Sequence, residues 1–232
     1  WPQATYGKEA YGVTPSRLNM LRSMAAQSVA TRTHGKCPTT LIWLGLGQRN
    51  DPAYKAVIDQ LSIWFKLQSQ QGVSNPDRVR TSKAWWEQKR RLYNSEHPWA
   101  TVKGPMGATM AMMAQIGWHP ASPYRWVDHL GNGWEYTGKG SLAPLYEAAR
   151  EAAEIAVLRK AAQHCCGKGL ETGGDLMVGM KHLKYLVKNE RNSKAARLTL
   201  TMSGGLWPLD RRYEAGMCDS NLCPWCLARG EE

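Results

Sequence analysis

Phenylalanine occurs once in these 232 residues. No apolar run reaches roughly 18 residues, the length a membrane-spanning helix needs, so such a helix is excluded. Cysteine is sparse: Cys37 stands alone, Cys165 and Cys166 are adjacent, and Cys218, Cys223 and Cys226 cluster. Such uneven spacing excludes a secreted disulfide framework and fits a reducing, intracellular setting, nuclear or cytoplasmic. No basic-then-apolar leader follows Trp1, so nothing points to secretion. The 19 acidic residues are scattered, and no Asp-Asp pair lies in an apolar strand where it could hold two Mg²⁺ ions for polymerase or nuclease chemistry. A Gly-rich phosphate loop, His-Glu-x-x-His and Gly-x-Ser-x-Gly are also missing, so the common motifs for nucleotide binding, zinc proteolysis and serine hydrolysis are absent.

What is present is basic. Thirty Lys and Arg residues give a formal charge of +11, an excess that favours an anionic partner, most often nucleic acid. A 43% hydrophobic fraction with 21% charged residues is ordinary for a globular chain and argues against whole-chain disorder. Eleven Trp and nine Tyr offer flat stacking faces with a polar tip, although a G-rich coding sequence would raise the Trp count equally well.

The periodicity predicts a mainly α fold, a helical bundle with one small β-hairpin. Thr14-Pro15 supplies an N-cap and first-turn proline for a helix to about Val29, with Leu18, Leu21, Ala25 and Val29 on one face. Residues 39–44 form a short apolar run, helix or strand. Asp51-Pro52 opens the clearest helix, in which Tyr54, Val57, Ile58, Leu61 and Phe65 share a face. A loop over Gly72–Pro76 and a second helix over Thr81–Tyr93 follow, then an apolar helix over Gly107–Ile116 that should cross the core. Aromatic segments around Gly131-Asn132-Gly133 read as a hairpin over 124–137, too small to stand without packing on a helix. Helices are expected again over 142–164, 175–190 and 193–202. These elements divide into helical regions over 1–100 and 101–204 and a tail over 205–232.

Three constellations carry chemistry. Cys218, Cys223 and Cys226 have the spacing of a zinc knuckle; Zn²⁺ takes four ligands, so this is half a site. Ordinary reduced thiols and a redox Cys-x-x-Cys are the other readings; a redox pair would follow a strand and open a helix, whereas Cys223 follows a loop-like run. Trp86, Lys89, Arg90 and Tyr93 share a helix face beside an apolar stripe marked by Trp85 and Leu92, pairing cations with rings as single-stranded nucleic acid binding requires. Packing of Trp86 and Tyr93 in a core is the competing reading. On the 175–190 helix, Leu176, Met180, Leu183 and Val187 are the expected buried face, with Lys181, Lys184 and Lys188 beside it for phosphate contacts or plain solvation. His164-Cys165-Cys166 ends a helix and reads as exposed, unbonded thiols more readily than as metal ligands, and catalysis by Asp128, His119 and His129 is not supported by any nearby nucleophile.

Short motifs along the chain resemble one family. Tyr6-Gly7-x-Glu9-Ala10-Tyr11-Gly12-Val13-Thr14-Pro15, with Leu18 and Leu21-Arg22, is similar to the segment entering the helical thumb of LINE-type (non-LTR) retrotransposon reverse transcriptases. Gly104-Pro105-Met106-Gly107 through Pro123, with Trp126 and Trp134, resembles the region after that thumb in dinoflagellate versions. Gly205-Leu206-Trp207-x3-Arg211 and Asn221-Leu222-Cys223-Pro224-x-Cys226 resemble the closing zinc-binding segment, whose later His and Cys are absent here. The resemblance implies a fragment of a polyprotein cut at both ends and lacking the palm Tyr-x-Asp-Asp, so non-catalytic alone. Its implied partners are RNA or DNA and the rest of the polyprotein, with no membrane role. The alternatives are a zinc- or thiol-dependent enzyme using the Cys/His cluster, and a helical protein-interaction module.

Overall fold

Thr14 lies in extended backbone and its Oγ1 accepts from the Arg17 amide at 3.3 Å, which starts a helix on Pro15. This is α2 (Pro15–Val29), preceded by the single turn α1 (Lys8–Tyr11). The computed structural model describes residues 6–30, 32–70, 75–136 and 141–229. The ambiguous run at 39–44 is helical, α3 (Pro38–Gly45), because six consecutive buried side chains can all be covered when neighbours surround a helix on every side. Then come α4 (Pro52–Gln70), α5 (Asn75–Tyr93) and α6 (Gly104–Ala114). α5 starts six residues before the expected Thr81, and part of the expected loop lies outside the described residues. A small sheet follows, then α7 (Leu142–Ala162), α8 (Met177–Lys188), α9 (Asn192–Met202), α10 (Leu209–Glu214) and α11 (Pro224–Arg229). The fold is mainly α, as expected.

One polar junction joins the first three long elements. The Asp51 carboxylate is fully buried, accepts from both Nε and an Nη of Arg22 at 3.0 Å, and from the Trp43 indole at 3.1 Å. It also accepts from the Ala53 amide at 2.9 Å, at the start of α4, while Arg22 donates onward to Thr39 at 2.7 Å. One aspartate therefore joins α2, α3 and α4. A bidentate, four-bonded carboxylate compensates the cost of burying its charge.

α6 runs through the centre of the molecule, with every residue from Gly107 to Met113 buried. α4 packs on it from one side and on the alanine-rich face of α7 from another. The buried cluster extends continuously from Val13 to Leu158, so the division expected near residue 100 falls inside a shared core. Tryptophans fill much of it. Trp85 lies 5.2 Å from Trp64 and meets Trp126 edge-on at 5.5 Å, an arrangement aromatic rings favour.

The sheet has three antiparallel strands rather than the expected two: β1 (His119–Pro120), β2 (Arg125–Val127) and β3 (Gly133–Glu135), in that order. Trp126 opposes Trp134 across β2 and β3, and Trp126 anchors the sheet on α5 through Trp85. The turn is organised by Asp128, whose carboxylate accepts from the amides of Leu130 and Asn132, the Asn132 side chain and the Trp134 indole at 2.8–3.0 Å. Burial opposes ionisation there, but these four donors prevail and bring the carboxyl from 3.8 to about 2.

Replacing Asp51 by Asn keeps the shape of the junction but leaves the Arg22 guanidinium without its counter-charge. The expected cost is about 3–5 kcal/mol, read from urea unfolding; a loss below about 1 kcal/mol would refute the junction's role. Because the Asp128 carboxyl titrates lower folded than unfolded, its stabilisation is complete above about pH 4 and lost as pH falls towards 2. Screening at this near-surface turn holds the effect to about 1 kcal/mol. The stability gap between the wild type and Asp128→Asn should accordingly narrow between pH 4 and 2, and a constant gap would contradict it.

Candidate nucleic-acid interface

On α5, adjacent tryptophans are separated by the helix turn of about 100° per residue. Trp85 is fully buried, with Gln88 and Leu92 along the same seam, and Trp86 is 51% exposed. The Gln88 amide donates to the Thr101 carbonyl at 3.0 Å and so fixes the register of α5. With the apolar stripe turned inward, Trp86, Arg90 and Tyr93 are exposed and Lys89 is half-buried. The competing core reading of Trp86 and Tyr93 is thereby corrected: with Trp85 and Leu92 buried, the flank about 100° further round the helix faces outward.

The four residues are not equivalent. The Lys89 ammonium donates to the Pro120 carbonyl at 2.7 Å and lies 4.8 Å from the Trp86 ring centre. It is a clamp between helix and sheet that also holds the indole in place. Neither the carbonyl nor the ring cancels its charge. Arg91 on the neighbouring flank pairs with Glu87. Tyr93 is 43% exposed, and its ring lies 6.3 Å from the His119 imidazole on β1. The result is a shallow face with two exposed rings, the Arg90 guanidinium and a held ammonium, able to stack on bases and contact phosphates.

The second basic surface lies on α8. Lys181, Lys184 and Lys188 are all exposed on one face, as expected. The expected buried face holds at Leu176, Met180 and Leu183, which are half-buried, but fails at its end: Leu186 is buried, while Val187 is 56% exposed. The physical reason is Gly179. A Cβ there would meet the Met202 side chain at 2.1 Å, so α9 approaches α8 closely at the glycine and the seam passes through Gly179 and Leu186. A glycine inside a helical pattern was the available signal for that close approach. Beside the lysines, the Tyr185 ring has His182 at 6.1 Å and the Arg191 guanidinium at 6.0 Å. α5 packs on α6, whereas α8 packs on α3 and α9, so the two basic surfaces have separate supports.

The tail does not assemble a metal centre among the described residues. Cys218 directs its thiol to the carbonyls of Ser220 at 3.3 Å and Leu209 at 3.7 Å, Cys223 is exposed, and the Cys226 side chain lies outside the described residues. Two described thiols fall short of the tetrahedral set Zn²⁺ takes. Nearby, Trp207 and Arg211 do meet: the guanidinium lies 4.3 Å from the ring centre and donates to the Gly204 carbonyl at 2.7 Å.

A feature missed by sequence reasoning is a cavity of about 450 Å³ between α2, the start of α3 and the end of α7. Lys36 and Lys160 bring positive charge to its lining, which also includes the Asp51-paired Arg22, His164, Cys37, Cys165 and Cys166 and no carboxylate. Its residues come from three distant stretches, so no local pattern announces it. Burial raises the Cys166 thiol above its ordinary range, and the hydrogen bond and charge of Cys165 raise it further against the opposing Arg211. No family model, curated protein or solved structure matches this chain.

Proposed function

We propose that this chain is a non-catalytic nucleic-acid-binding portion of a retroelement reverse-transcriptase polyprotein, holding template RNA or target DNA without reading its sequence. The observation that carries the binding reading is the α5 face: Trp86 and Tyr93 stand exposed beside Arg90 and Lys89, while their neighbours Trp85 and Leu92 are buried. Exposed rings next to cations suit single strands, whose bases stack while phosphates are gripped. The lysine row on α8 adds backbone contacts of the kind that position a strand without specifying its sequence. The retroelement origin rests on the resemblance at residues 6–22, 104–134 and 205–226, and a completed zinc site would need ligands beyond the thiols described here.

Titration of a fluorescent single-stranded oligonucleotide at several salt concentrations tests this. With Arg90, Lys181, Lys184 and Lys188 each neutralising a phosphate, log K should fall against log salt with a slope of about −3. Changing all three α8 lysines to Gln should flatten the slope by about 2. Binding that is absent at low salt, or insensitive to salt, would overturn the reading.

Trp86→Ala acts through a different force. It should weaken binding by about 1–3 kcal/mol with the salt slope unchanged, since stacking displaces no counterions. An unaltered affinity would show that the indole is not a stacking platform.

A further inference from the structure

The cationic cavity contains a pair of thiols for which nucleic-acid binding has no use. α7 ends in a turn over Cys165–Gly167, closed by the Gly167 amide donating to the His164 carbonyl at 2.8 Å. Gly167 is required there, because a Cβ would lie 2.1 Å from the Ala161 carbonyl oxygen. The turn holds the Cys165 and Cys166 sulfurs 3.7 Å apart, with Cys165 exposed and Cys166 half-buried. Lys36, Lys160 and His164 line the cavity with them. The Lys160 ammonium donates to the neutral Asn19 amide oxygen at 2.9 Å, so that contact leaves its charge uncancelled.

We propose that Cys165 and Cys166 form a redox-active vicinal dithiol whose substrate is a small disulfide bearing carboxylates, drawn into the cavity by its cations. The Cys165 thiolate attacks one sulfur of the small disulfide, forming a mixed disulfide and expelling one thiolate. Cys166 then loses its proton to solvent and attacks the Cys165 sulfur, expelling the second thiolate. Two protein thiols are oxidised, and one disulfide is reduced to two thiols. The sulfurs close from 3.7 Å to about 2.05 Å. The Lys36 and Lys160 ammonium groups favour the approach of an anionic partner. The closed form also bears on the tail, since Gly204, the carbonyl acceptor of Arg211, packs directly against the Cys166 backbone.

Oxidised glutathione on the full chain is the probe, followed by alkylation, trypsin and mass spectrometry of the peptide over 161–168, which contains Cys165 and Cys166 and no other cysteine. The expected product is that peptide lacking two hydrogens, unalkylated, and restored by dithiothreitol. Cys166→Ser should stall as a glutathione adduct on Cys165, and Cys37→Ser should react as the wild type does. Changing Lys36 and Lys160 to Gln should slow oxidised glutathione about tenfold while leaving an uncharged disulfide, bis(2-hydroxyethyl) disulfide, unaffected. Two alkylated cysteines in the treated peptide, a link to Cys37, or equal slowing of both disulfides would overturn the proposal. None of these outcomes depends on nucleic-acid binding, so the two readings fail separately.

Discussion

A single buried carboxylate constrains this fold. Asp51 occupies the start of α4, where its neighbour Pro52 needs no amide partner, and it holds the Arg22 guanidinium and the Trp43 indole at once. The helix α2, the apolar α3 and the long α4 are thereby oriented about one point. Since α4 also supports α6 and α7, the placement of the central Met- and Ala-rich helix depends on that junction. An apolar core of similar volume could supply cohesion, but cohesion has no direction; a bidentate ion pair does.

The tryptophans show how packing sorts one residue type into two roles. Trp43, Trp64, Trp85, Trp118 and Trp126 are buried, whereas Trp86, Trp207 and Trp225 are exposed. Trp85 and Trp86 are adjacent in the chain and opposite in fate. The seam that meets α6 and the sheet takes the first and turns the second to solvent. The abundance of indoles is therefore mainly a matter of core filling, and only the exposed minority is free to stack on a ligand. The indole N–H groups of Trp85, Trp118 and Trp126 have no hydrogen-bond acceptor among the described residues, a cost accepted by a core built of large rings.

The basic surfaces follow from the same sorting. α5 is held by a buried stripe and by the Gln88 amide, which leaves its ring-and-cation flank in a fixed orientation. α8 is held by α3 and α9, and its lysines project away from that support. The two cationic patches are therefore separately mounted, one on α6 and the other on α3 and α9. A cationic cleft lies elsewhere, at the end of α7, where thiols accompany the charge.

Local chemistry in the sequence was enough to determine the mainly α class, the Thr14-Pro15 and Asp51-Pro52 helix starts, the hairpin around Gly131–Gly133 and the shared face of Trp86, Lys89, Arg90 and Tyr93. Each depends on neighbours within about two helical turns, and such contacts follow directly from residue order. Tertiary structure alone decided that residues 39–44 are helical, that a third strand pairs with β2, and that the α8 seam passes through Gly179 and Leu186 instead of Val187. It alone made Asp51 the partner of Arg22 and gathered Arg22, Lys36, Lys160 and the paired thiols around one cavity. These outcomes join residues up to about 140 positions apart, where the partner of a charge or an apolar face is chosen by packing and no periodicity records the choice.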